Sequence, residues 1–129
     1  MTSILEDVRH AVTSVEDDDS FDRELIIFIN GVFMTLCQIG VGPAIPFSIT
    51  DETATWEDFL GEDEYKLSLV KPYMIHKVTY EFDTPTSSTR AEALRNIIAE
   101  DEWRLNCAVD PTDEELLELR QEMQERQVY

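Results

Sequence analysis

LIIFINGVFMTLCQIGVGPAIPFSIT, residues 25–50, holds no charged side chain, in a chain of 129 residues whose formal net charge is −18. All 28 carboxylates and all 10 Lys and Arg lie outside it. A run of that kind has to be buried against something. The acidic remainder has to be solvated, or to face something that tolerates dense negative charge. Leu25, Ile29, Val32 and Leu36 recur at the spacing of one helix face, Ile26 and Phe33 widen that face, and Phe28 and Met34 add apolar surface elsewhere. Ser20 is placed to cap such a helix, and Asp22 and Glu24 sit where its dipole favours acids. Gly40 and Gly42 end it. Ile26, Ile27 and Ile29 are β-branched, but length and cap decide for a helix over Phe21–Ile39. Apolar on most faces, this helix is either central or shared with a neighbouring subunit. Leu25, Ile29, Val32, Phe33 and Leu36 are therefore its candidates for core or subunit packing. Gly31 in mid-helix permits a close helix crossing, either within the chain, with Asn30 bonded to backbone, or between subunits.

Working outward, the chain reads as all-α: a small bundle of about four main helices, a long loop after the second, and an amphipathic C-terminal tail. Ser3 and Glu6 form a capping box for a first helix over Ile4–Thr13, with Ile4, Val8, Ala11, Val12 and Val15 on one side. The loop, residues 40–55, carries two prolines and is long for a connection in a compact domain. Thr55 and Asp58 cap a short helix, WEDFLG at 56–61. A further helix over Glu64–Phe82 presents Leu67, Val70, Met74 and Val78, and Pro72 is expected to kink it near Leu69. Thr89 and Glu92 cap the last main helix, Arg90–Asn106, whose stripe is Ala91, Leu94, Ile98 and Leu105. Residues 107–129 change character, with Leu116, Leu119 and Met123 forming a thin stripe among seven acids and two bases. That face is too narrow to fold alone and reads as a segment ordered on a partner. The division is a helical domain over 1–106 and an acidic tail over 107–129.

The charge excludes docking on nucleic-acid phosphates, which needs Lys and Arg patches. It does not exclude DNA nearby, because an acidic surface lets DNA slide past without sticking. A membrane span is not expected. The apolar part, Leu25–Val41, is 17 residues long, contains Asn30, Thr35 and Gln38, and runs into Pro43 and Pro46 with no basic flank. MTSILEDVRH at the start has no apolar signal region. Cys37 and Cys107 have no metal or redox spacing, which fits a reducing compartment. No nucleophile or acid–base pattern accompanies His10 or His76, and His76 reads as a partly buried core histidine. The acidic turns EDDD at 16–19 and GEDE at 61–64 lack the ligand spacing of a calcium loop and read as solvated. No enzyme activity, cofactor or metal is expected.

NGVFMTLCQIGVGP (30–43), WEDFL (56–60), KPYMIHKVTYEFDTPTSS (71–88) and EWRLN (102–106), in that order, resemble the small head–tail connector proteins of long-tailed bacteriophages and prophages, also called adaptor or neck proteins. The resemblance spans roughly residues 1–106 and departs from the family pattern at Pro72, where a hydrophobic residue is common. It implies a non-enzymatic helical bundle that joins a homo-oligomeric ring of about twelve copies beneath the portal protein. Such a ring extends the DNA channel and offers a docking surface to stopper or tail completion proteins, with DNA passing through without specific binding. The implied location is the virion neck, and the host cytoplasm during assembly. By the same analogy the loop residues Val41, Pro43, Ile45 and Phe47 face the next neck component. Leu116, Leu119 and Met123 anchor the tail on the portal, and Asp17, Asp18, Asp19, Glu62, Asp63 and Glu64 are candidates for an acidic lumen. A rival reading from another class is an acidic DNA mimic that inhibits a basic nucleic-acid-binding partner. A mimic binds its partner in a salt-sensitive way and has no use for an apolar loop at 40–50.

Overall fold

The computed structural model describes residues 2–13, 19–109, 118 and 120–124. Among them the helices are α1 (Ile4–Thr13), α2 (Asp22–Ile39), α3 (Trp56–Leu60), α4 (Glu64–Phe82) and α5 (Ser88–Val109), and Glu118 with residues 120–124 is also helical. No strand forms among the described residues, and Ser3 pairs with Thr55 in an isolated antiparallel bridge. The chain is all-α.

Capping explains most of the helix starts. Ser3 Oγ accepts from the Glu6 amide at 3.3 Å, and Asp63 accepts from the Lys66 amide at the head of α4. Thr55 and Asp58 form a complete capping box on α3, in which the Asp58 carboxylate accepts from the Thr55 amide. Two starts differ from expectation. The residue preceding α2 is Phe21, not Ser20, and no side chain caps it. At α5 the cap is Ser87, whose hydroxyl accepts from the Arg90 amide, so the helix begins ahead of Thr89. It also continues past Asn106 to Val109, which packs on the core beside Gly40. α4 runs as one helix through Pro72, which stands exposed.

The central helix is α4 rather than α2: α4 touches each of the other four. It contributes Leu67, Val70, Tyr73, Met74 and Val78 to a core completed by Leu25, Ile29, Val32, Phe33 and Leu36 of α2 and by Ile4, Leu5 and Val8 of α1. From α5 come Ile98 and Leu105, and Trp56 and Phe59 close the bottom. Ala11, expected on the inner side of α1, is exposed, and Leu5 and Arg9 are buried instead.

Two buried charges tie helices together. Arg9 of α1 donates from Nε and Nη2 to the two carboxylate oxygens of Asp22 on α2, at 2.9 and 2.6 Å. That bidentate bond holds the guanidinium above its ordinary pKa against the opposing effect of burial. Asp101 takes a core position on α5, where its carboxylate meets His76 Nδ1 of α4 at 2.7 Å and Arg104 at 3.9 Å. One turn away, the buried Tyr73 hydroxyl donates to Glu102 at 3.1 Å. Burial and the Glu102 charge push that phenol upward in pKa. The Trp56 indole N–H donates to Asp7 at 2.7 Å, and Lys71 lies over the Trp56 ring.

Candidate functional site

The chain after α2 is bound down along most of its length. Gly40 adopts a left-handed conformation and its amide, with that of Val41, returns to Leu36. Val41 is buried, so this candidate for the loop contact belongs to the core. Gly42, at φ +94°, lies against Phe59: a Cβ there would sit 2.4 Å from Phe59 Cε1. Phe47 packs with Phe33 and Phe59 in a cluster of three rings, with centroids 4.7–5.4 Å apart. Asn30 then clamps the far end of the loop. Its amide donates to the Ile49 carbonyl at 3.0 Å and its carbonyl accepts from the Ile49 amide at 2.8 Å, imitating a strand partner. What remains free is a four-residue tip, Pro43–Pro46, exposed throughout, with Ile45 at 81%. The tip sits beside Cys37, whose thiol is 3.6 Å from the Ala44 carbonyl.

The α2 candidates Leu25, Ile29, Val32, Phe33 and Leu36 are all within 2% of full burial inside their own subunit. They are core and have no surface to share with a neighbour. The opposite face of α2 carries Ile27, 68% exposed, and Met34, 49% exposed, with Gly31 between them. Among the described residues, no atom beyond its own stretch of helix lies within 4 Å of a Cβ built on Gly31, so they make no close crossing there.

Of the acidic candidates, Asp19, Glu62, Asp63 and Glu64 are exposed, whereas Asp17 and Asp18 lie outside the described residues. So do Leu116 and Leu119 of the tail. Met123 is described, helical and 60% exposed. Among the described residues no three His, Cys, Asp or Glu side chains come together as metal ligands, and no helix is long and apolar enough to cross a membrane.

Sequence reasoning passed over Arg9 and Asp101. Each looks solvated in a local window, and each finds its partner on another helix, 13 and 25 residues away. The exposed row on α2 was hidden by the uniform apolarity of the run. Only a partition into two opposite faces could have separated Ile27 and Met34 from the core stripe.

The model of the phage connector protein family matches residues 4–112, a span that takes in α1 to α5 complete. No curated protein and no solved structure matches. A match over the whole bundle, on a fold that is all-helical as the resemblance implied, places the chain: it belongs to the phage connector protein family.

Proposed function

We propose that this connector-type structural protein is the adaptor subunit of a bacteriophage neck. In this reading it joins a ring of copies beneath the portal, extends the DNA channel, and offers the surface on which stopper or tail completion proteins dock. The observation that carries the reading is the family match over residues 4–112. The chemistry agrees with it. Lys66, Lys77 and Arg104 each face a carboxylate within 4.0 Å, and Arg9 is bidentate on Asp22. These four cations are thus each neutralised by an acid and not free to serve a phosphate. Exposed Asp19, Glu62, Asp63 and Glu64 suit a wall past which DNA moves without adhering. The loop tip around Pro43 and Ile45 suits contact with the next neck component. The tail, with Leu116, Leu119 and Met123, suits docking on the portal.

The test is the mass in solution by light scattering, alone and mixed with candidate portal rings. Co-migration with a portal, retained at high salt and lost on deletion of residues 113–129, supports the adaptor. A species that ignores portals but binds a basic nucleic-acid-binding protein at low salt only overturns it in favour of a DNA mimic.

A further inference from the structure

Residues 1–64 carry 15 acids and two bases, whereas residues 65–109 carry six of each. Three of those six bases, Arg90, Arg95 and Arg104, stand exposed on α5, where the exposed acids are Glu92 and Glu100. We propose that in the adaptor ring this face of α5 docks on the acidic α1 side of the next copy, with Arg90 and Arg95 reaching the hollow between α1, the start of α2 and residues 50–52. The inference rests on the adaptor reading and names the contact that closes its ring.

Charge selects a copy of this chain as the occupant. The floor of the hollow is the Arg9–Asp22 pair, and Glu6, Asp51 and Glu52 line it in exposed positions. Arg90 and Arg95 are its complement. Neither forms an ion pair among the described residues, and Arg95 bonds instead to the Tyr80 hydroxyl at 3.0 Å. Arginines left without an acid in so acidic a chain are accounted for by acids outside the subunit. Trp103, on the same helix, is 65% exposed, with uncharged Asn96, Ala99 and Asn106 exposed beside it at helical spacing. Tryptophan and arginine are the side chains that most often anchor a protein contact once water is excluded from them. The geometry suits copies that all point the same way. α1 and α5 both pack on α4 and share no packing interface with each other, so the two surfaces lie on different sides of the bundle. They also lie at one height. Phe21, next to Asp22, packs its ring on Phe82, and Arg95 meets Tyr80, both in the last turn of α4. A copy turned about an axis parallel to α4 keeps that height and brings its arginines to its neighbour's acids. Contact between two different surfaces is directional, the kind that closes into a ring.

The test uses the full chain, with portal rings present, under conditions in which the wild type assembles, read as mass by light scattering. Arg90→Glu with Arg95→Glu is expected to abolish the ring, each contact weakening by at least about tenfold. Glu6→Lys with Glu52→Lys is expected to do the same. All four residues are exposed, so the helical circular dichroism of both variants is expected to be unchanged. An equimolar mixture of the two variants is expected to assemble again, in alternating rings, since each copy then meets the opposite charge on both sides. On assembly of the wild type, tryptophan emission is expected to shift to the blue and to resist acrylamide, a change that reports Trp103 because Trp56 is already buried. Variants that assemble alone as the wild type does, variants that stay apart when mixed, or rings in which Trp103 stays open to acrylamide overturn the proposal and leave the adaptor reading standing. A wild type that never assembles, with or without portal, removes the adaptor reading and this contact with it.

Discussion

A methyl group on Gly42 would overlap the Phe59 ring, at 2.4 Å from Cε1 and 2.8 Å from Cζ, on a backbone already at φ +94°. Phe59 cannot retreat freely, because Phe33 and Phe47 hold its other sides. Overpacking and left-handed strain therefore add, and Gly42→Ala is expected to destabilise the fold by about 2–4 kcal/mol, lowering Tm by roughly 5–15 °C. Gly31 gives the opposite sign. With no neighbour at its Cβ and a helical backbone, Gly31→Ala is expected to raise monomer stability by about 0.5–1 kcal/mol. Thermal melts of the two variants at dilute concentration check both. Equal destabilisation would show that Gly31 is packed inside the subunit after all. The contrast rests on surroundings alone, since both residues are glycines of one uncharged run.

Between α4 and α5 the decisive groups are polar. Tyr73 and Lys77 face Glu102, His76 faces Asp101, and the buried phenol of Tyr73 donates to Glu102. Its pKa is raised in the folded chain by burial first and by the Glu102 charge second. The folded state thus holds this proton more tightly than the unfolded chain does. The associated stability is fully present below the ordinary tyrosine pKa of about 10 and is lost as pH rises above it. Tm of the wild type is expected to fall as pH rises above about 10 more steeply than Tm of Tyr73→Phe. Parallel curves would place the phenol in contact with solvent. This interface also shows what a linear sequence discloses. The bounds of α1 and α4 were legible, because Ser3 stands directly at the start of α1 and apolar residues follow at helical spacing in both. The start of α5 was misplaced because Ser87, Ser88 and Thr89 are all competent caps, and the helix uses Ser87. Asp101 was not legible, since a carboxylate in a core position is accounted for chiefly by His76 on the facing helix, with Arg104 beside it. Of the loop residues, Pro43 and Ile45 are exposed, whereas Val41 and Phe47 are drawn inward by Leu36, Phe33 and Phe59.

At the scale of the whole molecule, the described core stops short of the acidic tail. Among the described residues, every core side chain lies between Ile4 and Val109, and the family match ends at residue 112. Residues 113–129 carry six acids and two bases, so removing them lowers the negative charge by four. Two consequences follow for a chain ending at residue 112. It has lost no described core contact, so it is expected to melt cooperatively with a Tm within about 3 °C of the full chain, a change below 1 kcal/mol for a domain of this size. It has also lost part of the self-repulsion that salt screens, so its Tm is expected to rise less steeply with ionic strength between about 0.01 and 0.15 M, where the Debye length contracts from about 30 to 8 Å. Calorimetry of both chains across that range checks the two together. A non-cooperative or much lower transition would make the tail part of the fold, against the portal docking proposed for it. An unchanged salt slope would mean that the carboxylates governing stability are those on the bundle itself. Then the acidic surface at Asp19 and Glu62–Glu64, rather than the tail, would set how closely copies can approach, and a ring would need either the uncharged face of α2 or the charge-balanced α4–α5 face at its contacts.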